Sequence, residues 1–162
     1  MEAVPPKLPM TWAERAAGPV MLRVPATWEE YLDLVDEVPY TIEYVNGEII
    51  SSAEAEKEGN TAQTGQASFI HELLVVTLAK LLANYFDDLG NYSVVGSNIK
   101  IYAEACRSEF NADVPVIQGV PDFVRLPSSK LSGTQLTNSY LVVEILSEST
   151  KDYDLGTKLS VL

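Results

Sequence analysis

The sequence is poor in cysteine, histidine and basic residues, and each shortage argues against a class of function. One cysteine, Cys106, cannot form an internal disulfide, and with one histidine, His71, it cannot supply a structural zinc site. The 11 basic residues against 23 acidic ones give a net charge of −12, unlike the basic surface of most nucleic-acid binders. A lone thiol is typical of a reducing compartment, so we expect a cytoplasmic protein.

Long apolar runs and familiar catalytic signatures are also missing. No uninterrupted apolar stretch reaches the roughly 20 residues that cross a bilayer. The N-terminus lacks a basic start followed by a continuous apolar segment. G-x-S-x-G, a phosphate-binding glycine loop and a dinucleotide fingerprint are absent from the sequence. We therefore expect no membrane partner and neither serine-hydrolase nor nucleotide-dependent chemistry.

The elements that are present predict one domain of the α/β or α+β class. A helix capped by Thr27 precedes residues 40–52, where alternating apolar residues flank Asn46-Gly47 and predict a hairpin. Residues 67–89 predict a long helix ended by Gly90. A strand pair or one bent strand is predicted around Gly96, and short strands are predicted at 114–117 and at 123–126. Another helix is predicted to begin near 151. The apolar run 140–147 predicts a central strand buried on both faces. Residues 1–25 are predicted to be an N-terminal extension and 26–162 the domain.

Glu144 interrupts that last apolar run. A carboxylate in a buried strand is costly unless it is paired or bound to a metal; otherwise it reaches solvent or a basic partner at the strand end. Mg²⁺ takes one or two protein carboxylates plus water, so a second acid and a nearby lysine would complete a phosphodiester-cleaving site. Lys158, fourteen residues later on the following helix, is the candidate lysine. The alternative for Lys158 is a solvated helix lysine.

Two aspartates nine positions apart, Asp113 and Asp122, compete for the role of the second acid. Only Asp122 lies in a Pro-Asp pair. Pro115, in the strand after Asp113, lacks a ladder donor and indicates an edge position or a bulge. From the residues alone, Asp113 and Asp122 both remain candidates for the second acid. His71, near the start of the long helix, more often has a structural role in such a position.

Several segments, in one order over residues 27–162, resemble a known family. They are YTIEYVNGEII, SFIHELLVVTLAKLL, GSNIKIY, FNADVPVI and LVVEILSESTKDYDLGTKL. They resemble the putative restriction endonuclease family once called domain of unknown function 820 (Uma-type), in the PD-(D/E)xK nuclease superfamily. The most specific match is V-E-x-L-S-x-S-T-x-x-x-D-x-G-x-K, from Val143 to Lys158. The resemblance implies a restriction-endonuclease-like core, a mixed sheet flanked by helices, that binds Mg²⁺ or Mn²⁺ and cleaves DNA as a homodimer.

The resemblance also implies roles for particular positions. Glu144 takes the place of the acid in the (D/E)xK motif, whose third position is Leu146 here, and Lys158 replaces the motif lysine. Asp113 heads a strand of the form D-V-x-V and takes the place of the metal aspartate, with Asp122 as the less favoured alternative.

Two further positions match the family pattern at the hairpin and on the long helix. Glu43 matches the acid before the hairpin turn, where it would support a second metal or the inner ligand shell. His71 matches the helix histidine as a possible accessory residue.

The sequence departs from the family pattern in ways that leave two functions open. Ala112 stands where relatives have proline, and relatives continue with at least one more strand, so a C-terminal strand is expected to be lacking or supplied by a partner. The first hypothesis is a metal-dependent DNA endonuclease. The second is a non-catalytic relative that serves as a binding or assembly module, which the strong acidity favours.

Overall fold

The protein is an α+β domain built on two β-sheets. The computed structural model describes residues 7–53, 69–96, 99–124, 135–147 and 150–161. The elements in chain order are α1 (Trp12–Ala16), β1 (Met21–Pro25), α2 (Trp28–Leu34), β2 (Glu43–Val45), β3 (Glu48–Ser52), α3 (Phe69–Asp87), β4 (Tyr92–Val94), β5 (Ile99–Ala103), β6 (Ser108–Ala112), β7 (Val114–Gln118), β8 (Phe123–Val124), β9 (Gln135–Leu136) and β10 (Ser139–Val143). A π-helical segment (Tyr153–Lys158) and a 3₁₀ turn (Leu159–Val161) follow.

The larger sheet is mixed and has the strand order β1-β3-β2-β6-β5-β9-β8. β5 and β9 run parallel, and the other described pairs of this sheet are antiparallel. One of its faces packs on a cluster that includes Phe110 and Tyr153, and the other packs on a cluster that includes Tyr31 and Tyr44. The sheet therefore separates two cores, and the candidate active-site residues lie on the Phe110 side.

The smaller sheet has the order β10-β7-β4 and is antiparallel. The chain passes from the larger sheet to the smaller one between β6 and β7, and a single residue, Asp113, joins these two strands. The predicted strand or strand pair around Gly96 is in fact two strands, β4 and β5, that belong to different sheets. The alternation of apolar residues in the sequence therefore gives no sign that the chain changes sheets at Asp113.

The predicted hairpin forms at Asn46-Gly47. Both turn residues have positive φ, 51° for Asn46 and 83° for Gly47, as a two-residue type I′ turn requires. β2 and β3 pair from Glu43 with Ile50 to Val45 with Glu48. The hairpin prediction is confirmed, and it places Glu43 at the first paired position of β2.

The long helix α3 is confirmed over Phe69–Asp87, while residues 67 and 68 lie outside the described residues. Val75 and Phe86 are buried, and the Phe86 ring packs 4.8 Å from the Tyr92 ring of β4. By length and composition alone α3 could cross a membrane, and little of it is buried. The absence of a membrane partner stays a prediction.

Two expectations about the smaller sheet are wrong. β10 is not buried on both faces, because the consecutive residues Tyr140 and Leu141 are both exposed. Pro115 does not lie at an edge, since β7 is the middle strand. The β4–β7 register runs from Gln118 to Val116, and beyond it the Pro115 carbonyl accepts the Val95 amide at 3.1 Å, so the proline serves as an acceptor rather than a donor. The bulge lies in β10, between Ser139 and Leu141.

The segment predicted as an N-terminal extension packs onto the larger sheet from residue 7 onward. β1 pairs with β3 along its whole length. The guanidinium of Arg15, fully buried, donates to the carbonyls of Pro19, Val20 and Ser51 and to the Ser51 hydroxyl. These hydrogen bonds give the buried guanidinium acceptors for its N–H groups and hold α1 against the end of β3.

The helix predicted to begin near 151 is present but is not a regular α-helix. The Ser147 hydroxyl accepts from the Thr150 amide at 3.2 Å, which caps the first turn. Tyr153–Lys158 is π-helical, so its hydrogen bonds run from residue i to i+5. Residues five apart, such as Tyr153 and Lys158, are therefore close neighbours on one side of this segment.

Candidate active site

Asp113 is held at the junction of the two sheets by contacts from two other elements. Its Oδ2 accepts the Ile145 amide at 2.7 Å and lies 3.2 Å from Nε2 of His71, in the first turn of α3. The side chain is 19% exposed. These contacts bring the residues after β10 and the start of α3 to the same carboxylate.

Glu144 directly follows β10 and points into the same region. Its Oε1 lies 2.9 Å from Nζ of Lys158 in an ion pair, and no donor among the described residues gives this buried atom a well-formed hydrogen bond. Burial, with a smaller contribution from the nearby Asp113, raises the pKa of Glu144 to about 7 against the opposing effect of Lys158. The site therefore holds a carboxylate that lacks enough positive charge to stay fully ionised near neutral pH.

Lys158 is buried, with 6% of its side chain exposed, among three carboxylates. Besides Glu144, its Nζ lies 3.7 Å from Asp154 Oδ1 and 4.0 Å from Glu43 Oε1. Burial by itself would lower the pKa of Lys158, but these carboxylates outweigh burial and hold the pKa above its ordinary value. Three carboxylates share one ammonium. Their combined negative charge keeps Lys158 protonated, but one ammonium does not compensate the charge of all three, so the pKa of Glu144 stays high.

Glu43 is fixed from both sides. Its Oε1 accepts the Asn111 amide of β6 at 2.6 Å, and its Oε2 accepts the Tyr153 hydroxyl at 2.6 Å. The side chain is 14% exposed. Both oxygens are thus engaged by protein donors, which does not favour the predicted role of Glu43 beside a second metal.

The structure brings five of the six predicted site residues together: Glu43, His71, Asp113, Glu144 and Lys158. Asp122 is not among them. It is exposed just before β8, where its backbone bonds with Asn138 and Thr137. The geometry therefore favours Asp113 over Asp122, and the catalytic role of all six residues stays a prediction.

Sequence reasoning assigned no role to two residues that complete this arrangement, Tyr153 and Asp154. Asp154 precedes Lys158 by four positions, a spacing that allows an ion pair on a helix and could have signalled the contact. Tyr153 precedes Lys158 by five, which places the two residues apart on an α-helix and together only on a π-helix. No sequence signal indicated the π-helical turn.

The donor set fits a hard divalent cation better than zinc. Within the described ranges no group of three or more His, Cys, Asp and Glu residues is arranged to hold a metal ion. Mg²⁺ and Mn²⁺ need only one or two protein carboxylates, because waters complete their coordination. Glu43, Asp113, Glu144 and Asp154 outnumber the single ammonium of Lys158, and a buried oxygen of Glu144 receives no well-formed hydrogen bond from the described residues. Asp113 and Glu144 can therefore accommodate such a cation.

A mixed sheet flanked by helices, with the candidate site at the junction of two sheets, defines a restriction-endonuclease-like domain. The family model of Uma2, described as putative restriction endonuclease, matches residues 28–161, and the chain belongs to this family. This confirms the resemblance inferred from the sequence and places the chain among nuclease-like domains. No curated protein and no solved structure matches the chain.

Proposed function

We propose that this protein is a metal-dependent endonuclease that hydrolyses DNA phosphodiester bonds. The observation that carries the proposal is the convergence of Asp113, Glu144 and Lys158, from the sheet junction, the end of β10 and the following helix, around one buried carboxylate oxygen. Membership in a nuclease-like family supports the same conclusion.

Each of these residues has a distinct task in the proposal. Asp113 and Glu144 hold Mg²⁺ or Mn²⁺. When bound, such a cation polarises the phosphate and lowers the pKa of a water ligand. Lys158, kept positive by its carboxylate neighbours, orients the attacking water and stabilises negative charge that develops on the phosphate. His71 supports Asp113 through the 3.2 Å contact.

The net charge of −12 restricts how DNA can bind. Tight nonspecific binding needs many phosphate contacts, and 11 basic residues cannot supply a broad basic surface. Arg23 lies near the site: its guanidinium stacks on the Tyr153 ring at 5.7 Å and donates to Thr157 Oγ1 at 3.1 Å. We propose that binding relies on a few such local contacts and on the metal, so DNA affinity is expected to be weak and to fall only gradually as salt rises.

The proposal is tested with supercoiled plasmid DNA in Mg²⁺ or Mn²⁺, and with EDTA as the control. Wild-type protein is expected to nick or linearise the plasmid only with the metal. Lys158→Met is expected to lower the rate about 10²–10³-fold, the loss typical for one charge-stabilising donor. Lys151→Met, an exposed lysine at the start of the same helical segment, is expected to keep the wild-type rate. A wild-type protein that binds no Mn²⁺ by calorimetry would favour the non-catalytic module instead.

We also propose that the protein is a homodimer, supported by the outer side of α3. Ile70, Leu74, Leu81 and Tyr85 recur at helical spacing and are all exposed. Soluble monomers rarely expose so continuous an apolar stripe, whereas interfaces between subunits bury one.

Sedimentation equilibrium tests the dimer. Wild-type protein is expected at twice the 17.8 kDa chain mass, and Leu81→Glu at the chain mass, because a charge would be buried in the interface. Val120→Glu changes an apolar residue that is 84% exposed outside α3 and is expected to stay dimeric. A wild-type protein that sediments as a monomer at micromolar concentration contradicts the proposal.

A further inference from the structure

The environment of Glu43 shows how the ammonium of Lys158 is kept beside Glu144. Glu43 receives one hydrogen bond from a rigid strand, through the Asn111 amide, and one from the Tyr153 hydroxyl. Lys158 Nζ lies 4.0 Å from Glu43 Oε1 but only 2.9 Å from Glu144 Oε1. Because both Glu43 oxygens already have donors, Glu43 attracts the ammonium without drawing it away from Glu144.

The ring of Tyr153 packs in the apolar core, and its hydroxyl contacts the candidate site. Tyr153 is 4% exposed and belongs to the apolar cluster that contains Phe110. The Lys158 ammonium lies 5.8 Å from the Tyr153 ring centroid and 5.2 Å from that of Phe110, so the two rings flank the charge. Burial and the adjacent Glu43 hold the pKa of Tyr153 far above its ordinary value, which keeps the hydroxyl a donor.

We propose that Tyr153 is a positioning residue for the reaction, and that Glu43 is the fixed counter-ion of Lys158 rather than a metal ligand. The Tyr153 hydroxyl orients Glu43, and Glu43 with Asp154 sets the place of the ammonium. A lysine side chain has four flexible carbons and no planar group to fix it, so its position depends on such neighbours. This inference rests on the proposed function.

Tyr153→Phe removes only the hydroxyl and leaves the ring in the core. Glu43 Oε2 then lacks its donor and competes for the ammonium, which moves away from Glu144. We expect kcat to fall about 10–10²-fold, as for a misplaced catalytic group. We expect KM and the affinity for Mn²⁺ to stay within about twofold of the wild-type values, since neither substrate nor metal contacts are lost.

Tyr40→Phe is the matched control. Tyr40 is also buried, and its hydroxyl donates to the Pro9 carbonyl at 2.7 Å, away from the site. Tyr40→Phe removes the same hydroxyl and a comparable hydrogen bond, so it measures the effect of losing a buried tyrosine hydroxyl on the fold alone. We expect it to change thermal stability about as much as Tyr153→Phe does and to leave kcat unchanged.

A readout independent of activity is the ¹⁵N NMR signal of the Lys158 ammonium, assigned by its loss in Lys158→Met. The signal is expected to shift or broaden in Tyr153→Phe and in Glu43→Gln, and to stay in place in Tyr40→Phe. Glu43→Gln retains wild-type Mn²⁺ affinity if Glu43 is a counter-ion, whereas a loss of affinity shows that it is a metal ligand and overturns the inference.

The remaining outcomes separate the two proposals. If wild-type protein neither binds Mn²⁺ nor cleaves DNA, the proposed function fails, while the ammonium signal still shows whether Tyr153 positions Lys158. An unchanged signal and kcat in Tyr153→Phe overturn the inference with the function intact. If Tyr153→Phe does not fold, Glu43→Gln carries the same test through the ammonium signal.

Discussion

Replacing either Asp113 or Glu144 with alanine is expected to abolish Mn²⁺ binding and to reduce DNA cleavage at least about 10³-fold. Metal-assisted charge stabilisation is worth several kcal/mol, and each 1.36 kcal/mol corresponds to a factor of ten in rate. Since Asp113 and Glu144 are the two carboxylates proposed to hold the cation, the loss of either one is expected to leave too few protein ligands. Calorimetric titration with Mn²⁺ and single-turnover plasmid cleavage measure the two losses separately.

Asp122→Ala is the matched control for Asp113→Ala. Asp122 makes its bonds to Thr137 and Asn138 through its backbone, so truncating its side chain removes none of these bonds. This variant is expected to bind Mn²⁺ and cleave DNA as the wild type does. If Asp122→Ala loses metal binding while Asp113→Ala retains it, the site assigned to the sheet junction is wrong.

The largest expected effect on stability comes from Glu109, on the opposite face of the larger sheet. This fully buried carboxylate is hydrogen-bonded by the Tyr31 hydroxyl and the Lys100 ammonium, and by Gln135 Nε2 at 3.0 Å. Lys100 also donates to the Tyr31 hydroxyl at 2.8 Å. The network joins the consecutive strands β5 and β6 to α2 and β9, which lie farther away in the sequence.

Glu109→Ala is expected to lower the free energy of unfolding by about 3–5 kcal/mol, because it leaves a buried ammonium without its carboxylate. Urea unfolding followed by circular dichroism measures the change. The double variant Lys100→Met/Glu109→Leu is expected to recover much of the loss, since it removes both charges and fills the space with apolar groups.

Glu48→Ala gives the comparison for an exposed ion pair. Glu48 lies 3.4 Å from Arg23, and both side chains are about one-third exposed, so the expected loss is at most about 1 kcal/mol. Equal losses for Glu109→Ala and Glu48→Ala would show that the buried network does not stabilise the fold as described.

Local signals in the sequence predicted local structure well. Asn46-Gly47 predicted the hairpin because few residues other than glycine and asparagine tolerate the positive φ of its turn. The 3.6-residue spacing of apolar side chains predicted α3, and Thr27 predicted the capped start of α2, where its hydroxyl accepts the Glu30 amide at 3.2 Å. Each of these features depends on neighbours within one or two turns of chain.

Features that depend on distant partners were predicted poorly. The apolar run at 140–147 indicated a strand buried on both faces, but apolar composition does not reveal which strand pairs alongside, and β10 leaves Tyr140 and Leu141 exposed. Lys100 reaches Glu109 because β5 and β6 pair in a register that sets Tyr102 opposite Glu109 and Lys100 opposite Asn111. No sequence motif indicates this register.

The candidate site was predicted largely through the family resemblance. Physical reasoning singled out Glu144, since a charge in an apolar run must have a partner, but it left Asp113 and Asp122 open. The structure supplies the missing reason: Asp113 lies where the chain changes sheets, which turns its side chain toward Ile145 and His71.

The π-helical turn makes the spacing of residues as important as their identity. Tyr153 and Lys158 both reach Glu43 because the backbone hydrogen bonds of this segment join residues five apart, whereas those of an α-helix join residues four apart. Leu155, exposed in the middle of the turn, can therefore be exchanged for many residues without consequence for Lys158. Its deletion would let the segment rewind as an α-helix and would rotate the ammonium relative to Glu144. We therefore expect the exposed residues of this turn to tolerate substitution, whereas its length has to be kept for Lys158 to reach Glu144.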